Sequence, residues 1–405
     1  MRRPIDYIVE KRKNAKSVIF LTGGTGFTGS HIAVELLKRG YLVVLLCRPK
    51  TDLGAYERIQ KVLEWHGLLY NKNFKVVSGQ VDEPRLGLDD EVYTYLLENV
   101  DEIWHCAADT SFPEKKRTQA EKVNVQGTLN VLRLAAESKC YLFHHMSSAY
   151  IAGKVRGRCL EKYIPQQQFH NVYEETKHIA EGHVLETCGR EKIRVNIYRP
   201  SIIYGDSRTG KSLSFKAFYV PFRAGHYLKK LFERDIKENK GLKAEKMGVR
   251  KTDGGKIYMP IRIGKIDGSS FNLVPIDFTV DGCMAIMENC LDGGIFHLVS
   301  RKPNTLDELI LFGEKFFNAT GYKSVLAEDF VNQPRNALEN LFDSFINVYK
   351  PNFHDDRIFD DTKAGEILDR NNIACPCLDY ESFSKCIKYA IEVDWGRALP
   401  LGYSV

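Results

Sequence analysis

The chain has 405 residues, 43% of them apolar and 27% charged, with 31 Gly, 14 Pro and a formal charge of +6. That length points to one large domain with an appended part, or to two domains, and the composition is that of an ordinary soluble globular protein, which excludes disorder and collagen. The longest apolar runs, 18–21 and 42–47, fall far short of the roughly 20 residues that span a bilayer.

Residues 1–16 are basic but carry Asp6 and Glu10 and lack an apolar stretch, so they read as a leader to the first strand rather than a signal peptide. Ten cysteines are scattered without a CxxC pair, the pattern of reduced, buried thiols in a cytoplasmic protein. Cys375-Pro376-Cys377 reads as a turn.

In chain order, β-branched runs at 17–22, 41–47, 74–78, 102–106, 141–146 and 194–198 read as strands. Helical patterns at 31–39, 118–138 and 173–187 lie between them. Strand and helix in alternation predict an α/β fold with a doubly wound parallel sheet of the Rossmann type, because parallel neighbours need crossover helices. After Tyr204 the pattern changes. Residues 213–262 are Lys-rich, with Tyr227, Leu228, Leu231, Phe232 and Ile236 on one helical face. A return strand is expected at 295–299, and helices at 306–320, 333–348, 361–369 and 380–392. The expected organisation is a dinucleotide-binding domain over 1–205, completed by about 273–300. A smaller, mostly helical substrate-binding cap would take 206–272 and 301–405, over the carboxyl ends of the strands.

Thr22-Gly23-Gly24-Thr25-Gly26-Phe27-Thr28-Gly29 follows the first strand and opens a helix. Gly23 would allow the tight turn, Gly26 the approach of backbone to a pyrophosphate, and Gly29 the packing of helix on strand, with free N–H groups at the helix start meeting phosphate charge. The second strand ends in Arg48-Pro49-Lys50, with no acid to accept a ribose 2′-hydroxyl; Arg48, helped by Lys50, favours NADP(H). Gln80 ends the third strand, where its carbonyl can accept a hydrogen bond from the adenine amino group.

Tyr173 and Lys177 stand four apart on a helical pattern and project from one face, so that an ammonium can favour the tyrosinate. Ser147-Ser148-Ala149-Tyr150 ends the fifth strand, and strand alternation together with the neighbouring Ala149 singles out Ser148. His105, His144 and His145 read as packing histidines, and no metal site is expected.

These motifs, with His105-Cys106-Ala107-Ala108 and Asn124-Val125-Gln126-Gly127-Thr128, resemble those of the extended short-chain dehydrogenase/reductases. Within them the chain is most similar to the thioester-reductase and fatty acyl-CoA reductase branch. The signs are Ala108-Asp109-Thr110-Ser111-Phe112, the 148–153 and 169–177 segments, Arg199-Pro200-Ser201 through Ser207, and 272–277. The resemblance covers about 18–297.

It implies that Thr22, Gly23, Gly26, Phe27, Thr28, Gly29 and Ala107 hold the cofactor and that Pro200 and Ser201 line the nicotinamide pocket. Ser148 would hydrogen-bond the reacting carbonyl, Tyr173 would donate the proton, and Lys177 would hold the nicotinamide ribose. Asn124 would anchor a water that relays protons to Lys177. Gln80 stands where the family usually has Asp, and Ser148 where many members of the branch carry Thr.

The function implied is NADPH-dependent reduction of an acyl thioester, on coenzyme A or an acyl carrier protein, to an aldehyde, with onward reduction to an alcohol left open. A hydroxysteroid-type dehydrogenase or a nucleotide-sugar epimerase or dehydratase would use the same fold and triad; epimerases favour an acid after the second strand, which Arg48 opposes. A non-catalytic NADP-binding regulator would typically have lost Tyr173 or Lys177. Residues 223–265 hold 13 Lys and Arg against 5 Asp and Glu. Such a segment reads first as a solvated insertion; its charge could instead steer an anionic carrier, and its amphipathic face could admit an acyl chain or rest on a membrane surface. No nucleic-acid partner is expected.

Overall fold

Val18–Thr22 (β1) carries the sequence VIFLT, and its side chains are buried on both faces, as a strand inside a parallel sheet requires. The computed structural model describes residues 17–399 except Thr51, Tyr70 and Asn71, together with residues 9, 10, 12 and 13; for 351–354 it describes the backbone alone. Most of the 1–16 leader therefore lies outside the described residues.

After β1 come α1 (Phe27–Lys38), β2 (Leu42–Cys47), α2 (Ala55–Trp65), β3 (Phe74–Ser78), α3 (Asp90–Asn99), β4 (Glu102–His105), α4 (Gly127–Glu137) and β5 (Leu142–Met146). The chain continues through α5 (Val172–Arg190), β6 (Arg194–Pro200), β7 (Ile202–Tyr204), α6 (Tyr219–Glu238), β8 (Ile257–Lys265), β9 (Leu273–Pro275), α7 (Ile276–Asn289) and β10 (Gly294–Leu298). It closes with α8 (Leu306–Phe317), β11 (Ala319–Leu326), α9 (Ala337–Ile346), α10 (Thr362–Arg370) and α11 (Tyr380–Glu392).

Seven strands form one parallel sheet in the order β3-β2-β1-β4-β5-β6-β10. The order reverses between β1 and β4, so the crevice beyond their carboxyl ends is the ligand-binding position of a doubly wound sheet. Ile32, Leu36, Ile59, Met284 and Leu368 pack on Leu21 and Leu45 on one face. Leu96, Val131, Leu134 and Val184 pack on Phe20 and Phe143 on the other.

A third core, with Phe218, Leu228, Phe232, Ile261, Leu306, Phe342 and Phe383, unites the segments after Tyr204. This region is mostly helical, as expected, and adds a small sheet that the sequence did not suggest. β8 and β11 pair in parallel, and Arg250–Lys251 runs antiparallel along β8. The helix expected over 306–320 stops at Phe317 because Asn318 takes a left-handed conformation, φ +49°, as its C-cap. Gly321 follows at φ +103°, where an added Cβ would sit 2.6 Å from the Met259 carbonyl oxygen. The amphipathic face of α6 is narrower than the sequence suggested: Leu228 and Phe232 are buried, whereas Tyr227 is 56% exposed.

Candidate active site

The glycine loop takes its shape from contacts that leave no room for side chains. Gly23 has φ +79°, and a Cβ there would lie 2.6 Å from the Ala107 nitrogen at the end of β4. A Cβ on Gly29 would lie 2.3 Å from the Gly23 carbonyl oxygen and 3.2 Å from Cys106 Cβ, so α1 can sit this close to the β1 turn only without one. Gly26 is the N-cap of α1; it offers no side-chain cap, and no acid stands in the first turn, which Phe27 and Thr28 begin. The helix start thus presents unsatisfied N–H groups and positive dipole to the crevice. Thr22 is buried, with its Oγ1 2.8 Å from His105 Nδ1 and accepting from the Ala107 N–H at 3.3 Å. His105 Nε2 meets Thr128 Oγ1 at 2.9 Å, which ties the loop to α4.

At the end of β2, Arg48 is exposed and Lys50 half-buried. Sequence reasoning missed Arg58. It is buried on α2, donates to the Arg48 carbonyl and reaches Thr25 Oγ1 at 3.4 Å. Among the described residues no carboxylate pairs with Arg58. Lys50 is held below the ordinary ammonium range by burial, then by Arg58 and Arg48. Three cations thus converge beside the loop. The signal that could have found Arg58 is a basic residue on the buried face of the helix after β2. Gln80 lies at the rim of the same crevice, its amide nitrogen donating to Glu83 Oε1 at 3.0 Å.

Tyr173 and Lys177 project from the first turns of α5, which Asn171 caps by accepting from the Glu174 N–H at 3.0 Å. Ser148 follows β5 as N-cap of a 3-10 turn, its Oγ accepting from the Tyr150 N–H at 3.2 Å and lying near enough to the Tyr173 phenol to lower its pKa. Ser147 points the other way and donates to Glu181 at 2.6 Å. Burial pushes the Tyr173 phenol up to about 12, with Ser148 opposing it. The Lys177 ammonium donates to the Met146 carbonyl at 2.7 Å and lies 3.4 Å from His145 Nε2. Burial brings Lys177 down to about 8, against Glu181 and then Cys106.

Asn124 sits in a π-helical turn, Glu121–Gln126, that leads into α4. Its Nδ2 donates to the Asp109 carbonyl and to Thr176 Oγ1, both at 2.9 Å, and its Oδ1 accepts from the Asp109 N–H at 2.7 Å. The side chain clips the β4 loop to α5 and makes no direct contact with Lys177. Pro200 ends β6, and the buried Ser201 Oγ has no partner among the described residues.

An apolar pocket lies among the segments after Tyr204. Phe222, Met259, Ile310, Phe342 and Tyr349 are among its walls, and Glu314 is the one charged residue of the lining among the described residues. Phe112 joins it to the polar cluster: its ring stacks on Tyr173 at 5.9 Å and meets Tyr349 at 5.3 Å. The basic segment is partly neutralised, Lys229 by Glu233, Arg262 by Glu339 and Lys265 by Asp307.

Residues 21–282 match the family described as male sterility protein, an NAD-binding family. The chain belongs to that family. The glycine cradle, the uncapped helix start and the unpartnered Ser201 hydroxyl fit a nicotinamide dinucleotide.

Among curated proteins it is 30% identical over 209 residues to the non-canonical nonribosomal peptide synthetase cpsA of Aspergillus campestris, a match covering 47% of this chain and 20% of the synthetase. It is 27% identical over 223 residues to the fatty acyl-CoA reductase wat of Drosophila melanogaster, covering 46% of this chain and 42% of that reductase. The chain thus spans less than half of either relative. Among solved structures, the terminal R domain of the myxalamid PKS-NRPS pathway aligns at TM-score 0.72 and 21% identity, covering 98% of this chain and all of that one. The UDP-glucuronic acid 4-epimerase of Bacillus cereus aligns at TM-score 0.62 and 18% identity, covering 94% and 98%. Both share the fold. Among the described residues no helix is long and apolar enough to cross a membrane.

Proposed function

We propose that the chain reduces an acyl thioester, carried on coenzyme A or a carrier protein, to the aldehyde, with NADPH preferred to NADH. The observation that carries this reading is the Ser148 and Tyr173 hydroxyl pair, joined through Phe112 and Tyr349 to an apolar cavity suited to an acyl group. The nicotinamide, when bound, supplies a hydride to the carbonyl carbon. Ser148 and Tyr173 then donate hydrogen bonds to the carbonyl oxygen as negative charge develops there. With its phenol near 12, Tyr173 keeps its proton at neutral pH and can give it up to that oxygen. The carbon–sulfur bond breaks as the carbonyl reforms, the oxygen's proton returning to Tyr173, and the leaving thiolate takes up a proton from solvent. The overall balance is one hydride and one proton in, one aldehyde and one thiol out.

In this reading Gly23, Gly26, Gly29 and the start of α1 hold the pyrophosphate, and Arg48, Lys50 and Arg58 hold the 2′-phosphate. Ala107, Pro200 and Ser201 border the nicotinamide, Gln80 meets the adenine, and Lys177 meets the ribose. Asn124 acts by clipping α5 in place. The lysines of 223–265 without carboxylate partners steer the anionic carrier. Ten free cysteines support a reducing, cytoplasmic setting.

The deciding assay is NADPH consumption with a panel of acyl-CoAs and carrier-bound thioesters, with product analysis for aldehyde and alcohol. Aldehyde formed in proportion to NADPH consumed supports the reading. No turnover with any thioester, while NADPH still binds, overturns it.

A further inference from the structure

His145 is the second of two adjacent histidines in β5, and alternation sends them to opposite faces of the sheet. His144 is an ordinary core histidine, its Nδ1 2.8 Å from the Tyr198 hydroxyl and its Nε2 3.1 Å from Glu102. His145 instead faces α5, completely buried, with Nε2 3.4 Å from Lys177 Nζ and with Nδ1 lacking any partner among the described residues. An ammonium has only donors, so Nε2 must present its lone pair, and the ring proton must sit on Nδ1. A buried N–H without an acceptor is unfavourable, and native structures keep few of them. The packing role read from the sequence leaves that arrangement unexplained.

We propose that His145 is a positioning residue for Lys177. Its Nε2 and the Met146 carbonyl, at 3.4 and 2.7 Å, engage two of the three ammonium protons and leave the third for the cofactor. The inference rests on the reading of Lys177 as a ligand of the nicotinamide ribose. Two fixed acceptors hold a flexible four-carbon side chain in one orientation before the cofactor arrives.

The groups around the ammonium are few. His105 and Cys106 face it from the end of β4, His145 from β5, and Tyr173 and Glu181 belong to its own helix. Burial keeps His105 neutral, down to about 3, and pushes the Cys106 thiol up to about 12. Glu181 is engaged by Ser147 and Arg199. His145 is itself held well below the ordinary imidazole range by burial and then by Lys177, so it stays a neutral acceptor. Removing it alters how the ammonium is hydrogen-bonded without changing the charge around it.

The test measures NADPH affinity by fluorescence from pH 7 to 10 for the wild type, His145→Phe, His145→Asn, His145→Gln and Lys177→Met, with thermal melting of each. Wild-type affinity should fall above about pH 8, as Lys177 loses its proton. An acceptor stabilises the charged form, so His145→Phe, which keeps a ring but no acceptor, should move that break down by about one pH unit and weaken binding several-fold at pH 8. His145→Asn, whose amide is too short to reach Nζ, should do the same, and His145→Gln, whose amide reaches further, should return the break toward wild type. A purely structural role would lower the melting temperature and weaken binding equally at every pH, which would overturn the proposal. So would an unshifted break in whichever of His145→Phe and His145→Asn folds. If Lys177→Met binds NADPH as tightly as wild type, the reading of Lys177 fails and the inference falls with it. If Lys177→Met binds weakly while the His145 variants behave as wild type, the inference alone fails.

Discussion

Ser148 and Tyr173 differ in how their protons are committed. Ser148 Oγ accepts from the Tyr150 N–H and is free to donate, and Tyr173 holds its proton because burial disfavours the phenolate. Tyr173→Phe should therefore lower kcat for thioester reduction at least about 100-fold, some 2.7 kcal/mol of barrier, while NADPH affinity changes less than about twofold. The adjacent Glu174 is buried, and its carboxylate accepts from the His170 N–H at 2.8 Å. Burial raises it to about 7, so between about pH 4.5 and 7 the folded chain binds more protons than the unfolded one, and stability falls as pH rises through that window. Glu174→Gln keeps an acceptor for His170 and removes the charge. The variant should gain roughly 1–3 kcal/mol relative to wild type on going from pH 5 to pH 8, read from paired denaturant titrations. Tyr173, Lys177 and Ser148 were legible because helix and strand periods place them. Arg58 and His145 were not, because each acts on a group from another element.

The glycine loop and the end of β2 work as a unit, because α1 must approach the β1 turn for its N–H groups to reach a phosphate. Gly29→Ala places a Cβ 2.3 Å from the Gly23 carbonyl oxygen, and backbone cannot swing away as a side-chain tip does. The helix must retreat, at a cost of about 1–3 kcal/mol in stability, and NADPH affinity should fall at least about tenfold by fluorescence titration. At the β2 end, wild type should bind NADPH more tightly than NADH by about tenfold or more, and Arg48→Asp should narrow or reverse that gap; equal affinities in the wild type would count against the 2′-phosphate reading. The helix expected over 306–320 shows how an element escapes sequence reading. Asn318 in a left-handed conformation ends it at Phe317, and Ala319–Leu326 pairs with β8, a strand more than 50 residues earlier in the chain.

At the scale of the whole molecule, the sheet carries the cofactor crevice and the segments after Tyr204 carry the cavity, with Phe112 and Tyr349 meeting between them. Gly313 lines that cavity, and a Cβ there would already lie 3.3 Å from the Phe222 ring. Gly313→Leu should lower kcat/KM for long acyl-CoAs by about tenfold or more and leave acetyl-CoA nearly unchanged, since only the longer chain needs the filled volume. The doubly wound sheet and the positions of the loop, Ser148, Tyr173 and Lys177 followed from the sequence by itself, because hydrophobic period and glycine spacing are local properties that neighbours in the chain settle. The three-stranded sheet of β8, β11 and Arg250–Lys251, the apolar cavity, the convergence of Arg58 on Arg48 and the contact of His145 with Lys177 were decided only by tertiary structure. Each joins residues from separate elements, and a pairing of that kind depends on how the elements pack, which no local pattern encodes.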